Sequence, residues 1–144
     1  MAVRIEVEIR ASAEVVWAVL ADVERWPEWT PSTTRIELLE GDELGAESRV
    51  RIKQPRLPAT VWRVSDFVAG QRFAWEAPAF GATTTATHAI APGTDGVNVT
   101  LSVETHGRLS WLARPLVEWI SRRYVRQEAA GLKRRCESGP DAAD

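Results

Sequence analysis

Between residues 34 and 106 the chain leaves no room for a helix. Six short runs rich in β-branched and aromatic residues, at 34–40, 47–54, 60–68, 71–77, 83–91 and 97–106, succeed one another, with Gly or Pro in nearly every separator (Gly41, Pro55, Gly70, Gly81, Gly93). A parallel crossover needs a dozen or more residues, so neighbours this close in sequence must return as hairpins. The middle of the chain is therefore committed to one antiparallel sheet.

The flanks read differently. Val3, Ile5, Val7 and Ile9 alternate with charged residues, the period of a strand with one buried face. Ser12 then reads as an N-cap, and Val15, Val16, Val19, Leu20 and Val23 recur at helical spacing. The residue before a proline avoids helical geometry, which predicts a break at Trp26-Pro27 and a second short turn from Pro27 to Trp29. Beyond Gly107 the period lengthens again, and 115–137 predicts a helix of about 34 Å, thin at Ala129-Ala130-Gly131. Residues 138–144 read as a flexible tail behind a single domain at 1–137.

With 44% hydrophobic and 26% charged residues, 144 residues can close a core and still leave a cavity. The lone cysteine, Cys136, excludes an intramolecular disulfide and, without a recognisable His or Asn partner, reads as a small core residue. The longest wholly apolar run, 15–21, is too short to span a bilayer, and the first residues do not resemble a signal peptide, so the expected location is cytoplasmic. A net charge of −2 gives no basic footprint for nucleic acid, although 114–137 alone holds seven Lys/Arg against three Glu. Seven tryptophans stand beside one tyrosine and three phenylalanines, enough indole for a bulky core or an apolar pocket.

Several short stretches recur together in one family: Ala13-Glu-Val-Val-Trp17 with Asp22 and Trp26-Pro-Glu-Trp29, Gly70-Gln-Arg-Phe-Ala-Trp75, His88-Ala-Ile90-Ala-Pro92 with Gly96 before a valine strand, and Gly131-Leu-Lys-Arg-Arg-Cys-Glu137. In this order they resemble the START/birch-pollen-allergen superfamily (SRPBCC), in particular its polyketide cyclase/dehydrase-like branch. The resemblance implies an α+β helix-grip fold: a curved seven-stranded antiparallel sheet wrapped around a long C-terminal helix, with two short helices after the first strand. It also implies a cavity between sheet and helix for a small hydrophobic ligand, whether lipid, polyketide, quinone or sterol-like. Only some members of such families do chemistry on what they hold, so fold does not fix function.

Candidate pocket residues follow from side-chain periodicity. Phe73 and Trp75 share a strand face, and Val50, Ile52 and Leu101 supply further apolar wall. Trp62 lies on a run that is apolar on both faces, so alternation does not orient it. Trp26 and Trp29 either gate the cavity mouth or plug the helix–sheet junction, Trp29 being the better placed for contact. On the last helix, Leu116, Trp119 and Ile120 are read as wall, and Arg123, on the side of Leu112, Leu116 and Trp119, as the guanidinium that would orient a ligand oxygen.

His88 is the pivotal polar residue. Pairing Ala91 with Val97 turns it to solvent; pairing Ile90 with Val97 turns both Ile90 and His88 inward, and burial of Ile90 favours the second register. Inward, it is a weak candidate for general acid/base or a donor to a ligand carbonyl. His106 lies about 20 Å along the sheet, and no Cys/His/carboxylate spacing suggests zinc. Nor is there a phosphate loop or dinucleotide fingerprint, so neither metal nor cofactor is expected. Three readings remain at this level: a carrier of a small hydrophobic molecule, a polyketide cyclase/dehydratase using a pocket His or Arg, and a protein- or membrane-interaction module working through the basic C-terminal helix.

Overall fold

A computed structural model describes residues 2–79, 81–108 and 111–138; residues 139–144 of the expected tail lie outside the described residues. The chain forms β1 (Ala2–Ile9), α1 (Ala13–Ala21), a 3-10 helix (Val23–Glu28), β2 (Arg35–Leu38), β3 (Arg49–Lys53), β4 (Thr60–Val68), β5 (Arg72–Ala79), β6 (Ala82–Pro92), β7 (Val97–Gly107) and α2 (Arg114–Glu137). The strands make one open antiparallel sheet in the order β1-β7-β6-β5-β4-β3-β2. Consecutive hairpins run from β2 to β7, and β1 returns to close the far edge against β7.

The first helix ends earlier than the proline alone predicts. Ser12 caps α1 by accepting from the Val15 amide at 3.2 Å, and the helix stops at Asp22, five residues ahead of Pro27. The indole of Trp26 explains the early turn: its Nε1 donates to the Leu20 carbonyl at 3.0 Å and satisfies an acceptor that a helix end leaves open. The chain can then tighten into the 3-10 helix, which contains Pro27.

Two registers decide the sheet's inner face. In the β6–β7 hairpin Pro92 faces Val97, Ile90 faces Val99 and His88 faces Leu101. The pairing is offset by two residues from the expected Ile90–Val97, because β6 runs on to Pro92 before it turns. An even offset preserves the face, and His88 points inward. In β4 a bulge between Val64 and Asp66 shifts the phase, placing Trp62 and Val64 on the inner face and bringing Phe67 back to the core beyond it. Val61 is left facing solvent, so the run is apolar on both faces only in sequence.

The core joins sheet, α1 and α2 through Ile9, Leu20, Val50, Phe73, Val99, Leu101 and Leu132. At the far end α2 is clasped to β1: the Arg10 amide donates to Glu137 Oε2 at 2.9 Å and Lys133 Nζ to the Glu8 carbonyl at 2.7 Å. The Arg10 amide, then Lys133, hold the Glu137 carboxyl below its ordinary pKa. Beside the clasp, burial pushes the Cys136 thiol up to about 11. At pH 8 only about one such thiol in a thousand is ionised, and the folded chain shields it. The native protein should resist iodoacetamide at that pH and react completely in denaturant; rapid native labelling would contradict this packing.

Candidate functional site

Sheet and helix separate at one end to leave a cavity of about 290 Å³. Ile52 of β3, Trp62 of β4, Trp75 of β5 and Val103 of β7 form the sheet wall, Trp26 enters from the 3-10 helix, and Val117, Ile120, Tyr124 and Val125 come from α2. The loop after β3 completes the rim with Leu57 and Pro58, and the Tyr124 hydroxyl donates to the Pro55 carbonyl, pinning that loop to the helix.

Much of the wall is aromatic, with one imidazole set into it and the hydroxyl side chains of Thr84 and Ser121 among its other polar groups. His88 stacks on Phe73 with centroids 4.4 Å apart and planes 19° apart, while Trp26 and Trp75 each meet it edge-on at 5.3 Å. Trp75 in turn contacts Trp62 at 6.4 Å and Phe73 at 5.2 Å. Such edge and offset contacts fix ring positions as well as fill space.

The imidazole is held at both nitrogens. Nδ1 lies 3.3 Å from the Phe73 carbonyl oxygen, and Nε2 lies 3.1 Å from Glu128 Oε1 on α2. A carbonyl only accepts, so a ring with hydrogen on Nδ1 donates to it, and a ring with hydrogen on Nε2 faces the carboxyl group with a donor. His88 and Glu128 thus set an imidazole beside a carboxyl group in the cavity wall. Both residues line the cavity, and Glu128 keeps 15% of its side chain accessible there.

Of the residues singled out in the sequence, the structure gathers Ile52, Trp62, Trp75, His88 and Ile120 around this cavity. Val50, Phe73 and Leu101 are buried in the core behind the wall, and Trp29 packs at the helix corner while Trp26 takes the pocket position. Leu116, Trp119 and Arg123 lie on the outside of α2. The inward stripe instead runs Val117, Ile120, Tyr124, Val125, Glu128, Leu132, Cys136, and Glu128 stands at its centre. That spacing was the signal for Glu128; the larger residues at 112, 116 and 119 mask it.

Among the described residues no group of three or more His, Cys, Asp or Glu side chains could hold a metal ion, and no helix is long and apolar enough to cross a membrane. His106 is exposed on β7, 3.0 Å from Glu104.

The sequence matches the family model for polyketide cyclase / dehydrase and lipid transport over residues 1–137. The chain belongs to that family. A START superfamily protein from Mycobacterium smegmatis is 20% identical and superposes with a TM-score of 0.77, covering 95% of this chain and 97% of the other. TTHA0849 from Thermus thermophilus gives 21% identity and a TM-score of 0.75 over 94% of this chain and 97% of that one. The Zhui aromatase/cyclase from Streptomyces sp. R1128 gives 19% and 0.74, with 94% of each chain covered. At these identities the likeness establishes the helix-grip fold of this polyketide cyclase/dehydrase family member, not its chemistry. No functionally curated protein matches the sequence.

Proposed function

We propose that the protein binds a small, mostly apolar molecule whose hydrogen-bonding oxygen meets the His88–Glu128 pair. The observation that carries this reading is a largely apolar cavity with an imidazole and a carboxyl group 3.1 Å apart in its wall. Pockets of this build, mainly apolar with a few convergent polar groups, are the usual form of a small-molecule site. At about 290 Å³ it lies at the lower end of the roughly 300–1,000 Å³ such sites occupy, which suits a one- or two-ring molecule better than a sterol.

The pair should distinguish 2-naphthol from naphthalene. A hydrogen bond to a charged group contributes about 1.5–3 kcal/mol, so naphthol should bind at least tenfold more tightly by titration. Glu128→Gln and His88→Phe should erase that preference and leave naphthalene affinity unchanged. Equal affinities in the wild type, or no binding of either, would sink the proposal.

The closeness of His88 and Glu128 favours a second reading, a cyclase/dehydratase. An imidazole and a carboxyl group beside an apolar cavity can withdraw a proton from the carbon next to a ketone and deliver one to the departing hydroxyl, which leaves as water. Turnover of a bound β-hydroxyketone to its unsaturated ketone and water, abolished by Glu128→Gln even at saturating substrate, would select catalysis over carriage.

A further inference from the structure

Four large apolar side chains stand out of the surface at one place. Trp111, Leu112, Leu116 and Trp119 are 76, 71, 60 and 54% exposed, the first two in the turn that enters α2 and the others on its first turns. At 100° per residue, Leu116, Trp119, Arg123 and Arg126 share one face of the helix, centred about 125° around the axis from the face on which Val117, Ile120, Tyr124 and Glu128 wall the cavity. Large apolar side chains exposed this close together along nine residues mark a contact surface.

Its charge says what the contact is. Residues 108–126 contain five arginines, at 108, 114, 122, 123 and 126, and one carboxylate, Glu118, whereas the whole chain carries −2. Arg122 pairs with Glu118 at 3.2 Å, and the Arg123 guanidinium lies 5.8 Å from the centroid of the Trp119 ring. A shallow depression beside Trp119 is walled by Arg114, Pro115, Glu118 and Arg122. A second copy docked by a two-fold axis would set this arginine group against itself. The occupant must be anionic, and it must also accept four apolar side chains. An acidic protein surface supplies the charge without the interior; a lipid surface supplies both, and tryptophan, leucine and arginine are the side chains that sit at its boundary.

We propose that this face docks on an anionic bilayer surface, with Trp111, Leu112, Leu116 and Trp119 entering the headgroup boundary and the arginines meeting lipid phosphates. The same helical segment then carries the cavity wall on its inner flank, so docking places the cavity within about one helix diameter, roughly 10 Å, of the bilayer.

Co-sedimentation tests this directly, with vesicles of phosphatidylcholine alone and of phosphatidylcholine mixed with phosphatidylglycerol. The full chain should partition onto the anionic vesicles, less so as salt is raised, and only weakly onto the neutral ones. The double variants Trp111→Ala/Trp119→Ala and Arg123→Glu/Arg126→Glu should each lose roughly tenfold or more of that partition with unchanged thermal unfolding. Absence of partition, or partition equal in the variants, overturns the proposal. So does a dimer in light scattering that Trp111→Ala/Trp119→Ala abolishes, which would give the face to a second copy. Binding of acidic proteins without binding of anionic vesicles overturns it as well.

Discussion

Gly131→Ala is expected to lower the midpoint of thermal unfolding by about 8 °C, even though alanine is the better helix former by about 1 kcal/mol. A Cβ built at Gly131 would stand 1.9 Å from the Trp29 carbonyl oxygen, 3.0 Å from its carbonyl carbon and 3.3 Å from Cε3 of the indole. The nearest obstacle is backbone, which no rotamer change removes. Either α2 must retreat from the helix corner or the corner must shift, and Trp29 is itself buried against Trp26. Overpacking of this kind costs about 3 kcal/mol or somewhat more, leaving a net loss of about 2–3 kcal/mol after the gain in helix propensity. Calorimetric unfolding measures it, and a midpoint equal to or above wild type would show that helix and corner do not meet this closely.

Trp75→Ala should cost more, about 3–5 kcal/mol, and should weaken binding of an apolar probe such as N-phenyl-1-naphthylamine by about tenfold or more. The ring touches Trp26, Trp62, Phe73 and His88 and forms part of the cavity wall, so its removal at once enlarges the pocket and unsettles the imidazole. Trp75→Phe keeps an aromatic group there and should fold with an intermediate affinity, so the prediction remains testable if the alanine variant collapses. Trp119→Ala is the contrast: on the outer face of α2, it should change stability by less than about 0.5 kcal/mol and leave probe affinity alone. Equal probe affinities for wild type, Trp75→Ala and Trp75→Phe would place the apolar site elsewhere.

The two tryptophans show where sequence reasoning holds and where it stops. Trp75 shares its strand face with Phe73 because a strand repeats every two residues, and the structure keeps that relation. Trp119 sits in a helix whose apolar residues form two stripes, and periodicity alone gives no reason to bury the smaller-looking one. The stripe through Val117, Tyr124 and Val125 goes inward because it continues into Ala129, Leu132 and Cys136, which pack deep in the core. Glu128 is carried inward with it, and Arg123 outward.

What the sequence determined by itself was the succession of elements: turn residues too closely spaced for anything but hairpins, a strand and helix before them, and one long helix after. It also determined side-chain parity within each strand, which is why a two-residue offset in the β6–β7 hairpin left His88 facing inward. Tertiary structure alone decided the bulge that orients Trp62, the choice of face on α2, and the meeting of His88 with a carboxylate forty residues away. The reason is physical. Hydrogen-bonded ladders and turns are local and repeat with a fixed period, whereas a site depends on which of several admissible faces the core selects, and that is settled only when sheet and helix bury one another.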